Sequence, residues 1–147
     1  MKKIVLLFFM VLSSVVFSQD EVTWLTDFAE AKQQAKQANK PLIMYLTGSD
    51  WCSPCKKLKS DFFENEDFIE QSKKVVLLKV DLPFREDIIT PEQRVKNKAL
   101  QEKYNPQKSF PLLIGFNSGG REVSRISSYS GGDPRYHFDF LNKLLQL

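Results

Sequence analysis

The sequence predicts an α/β fold in which a central mixed β-sheet is flanked by helices on both faces. Three observations carry that expectation. Apolar runs of strand length, Leu42 to Leu46, Val75 to Val80 and Leu112 to Phe116, alternate with segments of helical periodicity. Ser118-Gly119-Gly120 turns the third run into Val123 to Ile126 as a hairpin, which supplies an antiparallel pairing. A final helical segment then closes the layer arrangement.

In chain order, Glu21 to Leu25 reads as a short first strand around Trp24. Asp27 reads as an N-cap, with Glu30 three residues on completing a capping box. Phe28, Ala31, Ala35 and Ala38 form a thin apolar stripe, and Asn39-Lys40-Pro41 stops that helix. The strand Leu42 to Leu46 leads into a turn that holds Cys52 and Cys55. A helix from Ser53 to about Phe63 follows, with Pro54 in its first turn and a bend or restart near Asn65. Glu66 to Ser72 is a short helix, and Leu82 to Thr90 is polar and irregular. Pro91 starts a helix whose inner face is Val95, Ala99, Leu100 and Tyr104, and Asn105-Pro106 ends it. After Gly131-Gly132, Asp133 caps a last helix with Pro134 at its first position, burying Phe138, Leu141, Leu144 and Leu145. His137 on that helix reads as an exposed helical residue.

The chain has 147 residues, enough for one compact domain. Residues 1–18 read as a cleavable signal peptide: Lys2-Lys3, an apolar run from Ile4 to Phe17, and a small residue, Ser18, before Gln19. The expected mature domain is 19–147, in the periplasm or secreted. Loss of Lys2 and Lys3 lowers the formal net charge from +3 to +1. A near-neutral chain with interspersed charges calls for neither nucleic acid nor an acidic membrane surface, and a monomer is expected.

The two cysteines of the chain lie two residues apart, where a strand ends and a helix begins. One such ring closes almost no loop, so its entropic value as a staple is small. A zinc site needs four ligands, and the sequence offers two thiols and a distant His137. Reversible redox chemistry remains. At the cap position Cys52 meets the positive end of the helix dipole, which favours its thiolate, while Cys55 points back into the domain. Cys52 is therefore the expected attacking thiol and Cys55 the resolving one.

The element order, Trp51-Cys52-Ser53-Pro54-Cys55-Lys56 and Phe110-Pro111 resemble the thioredoxin fold. Thr47 to Cys52, Val80-Asp81-Leu82-Pro83 and Asn97 to Tyr104 resemble a narrower group, small exported bacterial thioredoxin-like proteins related to the C-terminal domain of DsbD-type reductant carriers. The resemblance spans about Val22 to Leu147. It implies a cis peptide before Pro111, with the backbone of Phe110 facing Cys52 and pairing with a substrate strand. It also implies that Phe110 and Pro111 contact substrate, whereas Trp51 reads either as a substrate contact that shields the disulfide or as an aromatic covering the core edge. Three positions depart from the family pattern: Tyr45 stands where thioredoxins carry a buried carboxylate, Ser109 where relatives have glycine, and Leu112 where threonine is frequent.

The resulting expectation is an exported thiol–disulfide oxidoreductase that reduces protein disulfides. It needs no metal or organic cofactor and draws electrons from a membrane donor of DsbD type. Two rivals stand beside it: an oxidase or isomerase of the same fold, and a redox-inert module that holds extended peptides.

Overall fold

The computed structural model describes residues 22–147. The expected signal peptide, 1–18, lies outside them. Among the described residues, five α-helices and four strands follow the order α1 (Phe28–Ala38), β1 (Leu42–Thr47), α2 (Ser53–Leu58), α3 (Glu66–Ser72), β2 (Val76–Asp81), α4 (Pro91–Tyr104), β3 (Leu112–Phe116), β4 (Glu122–Ser127) and α5 (Arg135–Leu145). A π-helical turn, Lys59–Phe63, extends α2. The sheet order is β2-β1-β3-β4, with β1 parallel to β2 and the other pairs antiparallel. This is the expected mixed sheet.

The side-chain alternation of a strand divides the core in two. Ile43 and Tyr45 of β1, with Leu77 and Leu113 beside them, face α2, α3 and α5 through Leu58, Phe62, Phe63, Phe68, Leu141 and Leu144. Leu42, Met44 and Leu46, with Leu78, Val80 and Ile114, face α1 and α4 through Ala31, Ala35, Leu100 and Tyr104. Every residue of β1 is buried. Fully burying side chains of this size is worth about 1.5–3 kcal/mol each, so β1, like the fully buried β3 beside it, is firmly anchored.

The caps act largely as expected. Asp27 accepts from the N–H groups of Ala29 and Glu30, and Asn39 ends α1 in the left-handed conformation. The capping box is only half made, because the Glu30 carboxylate accepts from Gln34 instead. After α2, the N–H of Glu64 reaches back five residues to the Lys59 carbonyl at 3.0 Å. That widened turn lets two adjacent residues, Phe62 and Phe63, both enter the core. Asn65 then caps α3 by accepting from Asp67.

Four expectations are corrected. The segment around Trp24 forms a single parallel bridge, Leu25 to Leu78, rather than a strand, and Trp24 packs edge-on against Phe63. Val95 and Ala99 of α4 face solvent. Leu100 and Tyr104 do face the core, but the first turns of the inner side are polar: buried Asn97 donates to the Asp81 carbonyl and Gln93 to the Thr26 carbonyl. Pro134 occupies the cap position of α5, one residue later than expected, while the Asp133 carboxylate accepts from the Arg135 N–H. Finally, the buried stripe of α5 is His137, Phe140, Leu141 and Leu144, so Phe138 and Leu145 are only partly covered and His137 is inside.

His137 is 3% exposed and sits against the rings of Phe62 and Tyr129, and neither ring nitrogen has a hydrogen-bond partner among the described residues. Burial pushes its pKa down to about 4. The unfolded imidazole takes its proton near pH 6.5, so between there and pH 4 the unfolded chain binds the extra proton and the folded one does not. Stability is therefore full above pH 6.5 and declines as pH falls through that window, by about 2–3 kcal/mol on linkage grounds. His137→Phe removes this slope. Urea midpoints followed from pH 7 to 4 should show the wild type losing ground on the variant, and parallel curves would refute the assignment.

Candidate active site

The turn that follows β1 is hung from the anchored end of that strand. The N–H of Cys52 donates to the Gly48 carbonyl at 2.8 Å, and the N–H of Ser49 donates to the Asp81 carboxylate at 3.0 Å. Gly48 is there because nothing larger fits: a Cβ at that position would lie 2.1 Å from the indole of Trp51. The indole in turn donates from Nε1 to the Leu82 carbonyl at 2.8 Å.

A second segment is tied to the same turn. The Asp50 carboxylate accepts from the N–H groups of Phe84 and Arg85 at 3.0 and 2.9 Å. Partial burial opposes ionisation there, yet these two donors hold the carboxyl below its usual range. Arg94 of α4 secures the other side of the segment, donating to the carbonyls of Pro83 and Arg85. Phe84 thereby stacks on Trp51 with ring centroids 5.1 Å apart, and Phe110 also meets the indole, edge-on at 5.3 Å. Trp51 is the middle member of an aromatic row.

Cys52 caps α2. Its Sγ accepts from the N–H of Cys55 at 3.2 Å, and the two sulfurs are joined in a disulfide across a Cα separation of 5.2 Å. Both cysteines are buried, 3% and 1% exposed. The sequence places only Cys55 in shelter; in the disulfide Cys52 is sheltered as well. A shallow pocket of about 390 Å³ opens against Cys52, lined also by Trp51, Ser53, Pro54, Lys108 and Phe110.

Opposite lies the cis peptide between Phe110 and Pro111. Among the described residues no hydrogen bond takes the main-chain N–H or carbonyl of Phe110. Pro111 is buried, and its carbonyl accepts from Ser128. The approach to Pro111 is shaped by Asn105, which is 3% exposed. Its side chain accepts from the Ser109 N–H and donates to the Ser109 carbonyl, at 2.9 and 2.8 Å.

Beneath the pair, the Tyr45 hydroxyl donates to the Cys55 carbonyl at 3.3 Å. Burial, reinforced by the nearby Asp81 carboxylate, pushes that phenol up to about 12. Tyr45 therefore stays neutral near pH 7 and acts as a donor to the first turn of α2, never as a base. Asp50, Phe84 and Asn105 were not singled out from sequence. Asp50 and Phe84 are 34 residues apart, and no local pattern marks a contact of that span.

A strand-to-helix turn bearing a small disulfide ring, faced by a cis-proline loop on a mixed sheet, defines a protein of thioredoxin fold. The chain belongs to the thioredoxin-like family, whose profile matches residues 23–114. Two relatives come from Chlamydia pneumoniae. The disulfide bond reductase DsbH is 33% identical over 110 residues, covering 74% of this chain and 65% of the relative. The thioredoxin-related protein DsbJ is 33% identical over 135 residues, covering 86% of this chain and 38% of the relative. The chain thus spans less than two thirds of either relative. A solved structure of a DsbH oxidoreductase superposes with a TM-score of 0.73 at 29% identity, over 86% of both chains.

Gly48→Ala tests the seating of Trp51. In a Trp24→Phe background, which leaves Trp51 as the sole indole, the added methyl should displace the ring from Leu82 and shift its fluorescence to longer wavelength. Stability should fall by about 1–3 kcal/mol, the usual cost of overpacking. An unchanged emission maximum would refute the packing described.

Proposed function

We propose that this protein is an exported thiol–disulfide oxidoreductase that reduces disulfides in other proteins. The observation that carries the reading is the Cys52–Cys55 disulfide at the start of α2, set beside a pocket and a main-chain segment with free hydrogen-bonding capacity.

In the dithiol form, the Cys52 thiolate attacks one sulfur of a substrate disulfide. A mixed disulfide forms and the other substrate sulfur leaves as a thiolate. Cys55, having lost its proton to solvent or to that leaving group, attacks Cys52 Sγ; the second substrate thiol departs and the Cys52–Cys55 disulfide remains. Two electrons have passed to the substrate. An external dithiol, in this reading a membrane carrier of DsbD type, restores the pair by the same exchange in reverse order. Trp51, Phe110 and Pro111 are the proposed substrate contacts, with an extended substrate strand pairing along Phe110. The reading takes residues 1–18 as an export signal, 19–147 as the working domain, and the protein as a monomer in the periplasm or secreted.

The reductive direction rests on the sparse stabilisation available to a Cys52 thiolate. Ser53 and Pro54 bring no charge between the cysteines, and the Lys56 ammonium is engaged with the Asp50 carbonyl at 3.1 Å. The start of α2 remains as the main source of positive potential, since Lys108, the one other cation lining the pocket beside Cys52, is exposed and screened by solvent. A thiolate pKa near about 7, as in thioredoxin, goes with a reducing couple, because less stabilisation of the reduced form lowers the potential by about 30 mV per 1.4 kcal/mol.

Three measurements test the reading. Equilibration with glutathione should return a potential below about −200 mV; a value near −120 mV would make the protein an oxidant. Cys52→Ser should abolish insulin reduction, whereas Cys55→Ser should still attack and accumulate as a mixed disulfide. Faster alkylation of Cys55 than of Cys52 in the reduced wild type would reverse the assigned roles.

A further inference from the structure

The pocket beside Cys52 has aromatic and proline walls and one charged group at its rim, Lys108. The position of that lysine is built. Lys108 adopts a left-handed backbone, φ 54°, which costs a non-glycine residue about 1 kcal/mol or more. Its own N–H donates to the Asn105 carbonyl at 3.0 Å, and the buried Asn105 side chain clamps both main-chain groups of the next residue, Ser109. The loop is thereby held in a conformation that carries Lys108 and Phe110 to the same pocket.

The other charges nearby are already satisfied. Lys56 donates to the Asp50 carbonyl, Lys57 pairs with Asp61, and the Asp50 carboxylate is spent on the Phe84 and Arg85 N–H groups. Lys108 is exposed, and its ammonium has no ion-pair or hydrogen-bond partner among the described residues. An unopposed cation lining an aromatic pocket that also holds the attacking cysteine, Cys52, favours an anionic side chain with an aliphatic stem.

We propose that Lys108 is a specificity residue and that this protein prefers disulfides whose attacked cysteine has an acidic neighbour in the substrate chain. The inference rests on the proposed exchange activity and adds a substrate class to it. The neighbour's carboxylate meets the Lys108 ammonium while its methylene groups lie on Phe110 and Pro54. A rim charge of this kind acts chiefly on the encounter and weakens with salt.

The test uses the mature, reduced protein and two synthetic disulfide peptides that differ only by Glu or Gln beside the attacked cysteine. At low ionic strength the wild type should reduce the Glu peptide about threefold to fivefold faster in kcat/KM, as an exposed ion pair allows. At about 0.5 M salt the ratio should approach one. Lys108→Asn, neutral and tolerant of the left-handed backbone, should bring the ratio to one at every salt concentration. Lys108→Arg should keep the preference, and Lys143→Ala on α5 should behave as wild type. Equal rates with both peptides in the wild type, or a preference that survives Lys108→Asn, would overturn the specificity while leaving the exchange reading intact. Failure to reduce either peptide would overturn both.

Discussion

Burial of β1 on both faces and pairing on both edges is the constraint on which the site depends. Its register with β2 and β3 runs to its last residues, Leu46 opposite Leu112 and Thr47 opposite Asp81. A strand held in that way cannot slip by one residue without turning Tyr45 out of one core layer and Leu46 out of the other. The cysteine turn starts where the strand stops, so the stiffness of the sheet becomes the positional accuracy of the disulfide. The β3 end of the same sheet delivers Phe110 and Pro111, and the β2 end delivers Asp81 and the segment that holds Phe84. Three strand ends thus meet at the cysteine turn: β1 carries it, β3 brings Phe110 against it, and β2 brings the groups that brace it.

What was legible in the sequence follows from that arrangement. Buried strands write themselves as continuous apolar runs, and the β1 run ends directly at the cysteines. Caps are also local: Asp27, Asn65 and Thr90 each satisfy helix N–H groups within three residues. The resemblance supplied what spacing alone does not, the pairing of a distant Phe110-Pro111 with the cysteines. Helix faces were read less well. On α5 the alternative stripe at 137, 140, 141 and 144 has the same periodicity as the one chosen. His137, which reads from sequence as an exposed helical residue, heads that stripe, and the aromatic surroundings of Phe62 and Tyr129 accept it as a neutral imidazole. On α4 the apolar residues Val95 and Ala99 drew attention, whereas the buried anchor is an asparagine. Its amide pairs with a strand carbonyl, a contact that hydropathy cannot announce.

The group beneath the cysteines is a phenol, that of Tyr45. Tyr45 keeps its proton and spends it on the Cys55 carbonyl. It therefore supports the first turn of α2 without adding a negative charge under the sulfurs. A carboxylate there would raise the energy of a neighbouring thiolate and compete for its proton. With the phenol, the contrast between the two sulfurs comes from the helix start and from the pocket, which opens against Cys52 and not Cys55.

The Asp50 carboxylate has a consequence for how such a site could be moved between proteins. By holding two main-chain N–H groups 34 residues downstream, it makes the cysteine turn and the Pro83–Arg85 segment a single transplantable unit. The turn grafted alone into another sheet would arrive with an unsatisfied anion and an indole lacking both its acceptor and its stacking partner. Grafted with the segment, but without Arg94, it would arrive with two carbonyls unpaired. The boundary of the site, in the sense relevant to a chimera, is therefore drawn by hydrogen bonds across the β2–α4 connection and extends well beyond the motif that contains the sulfurs.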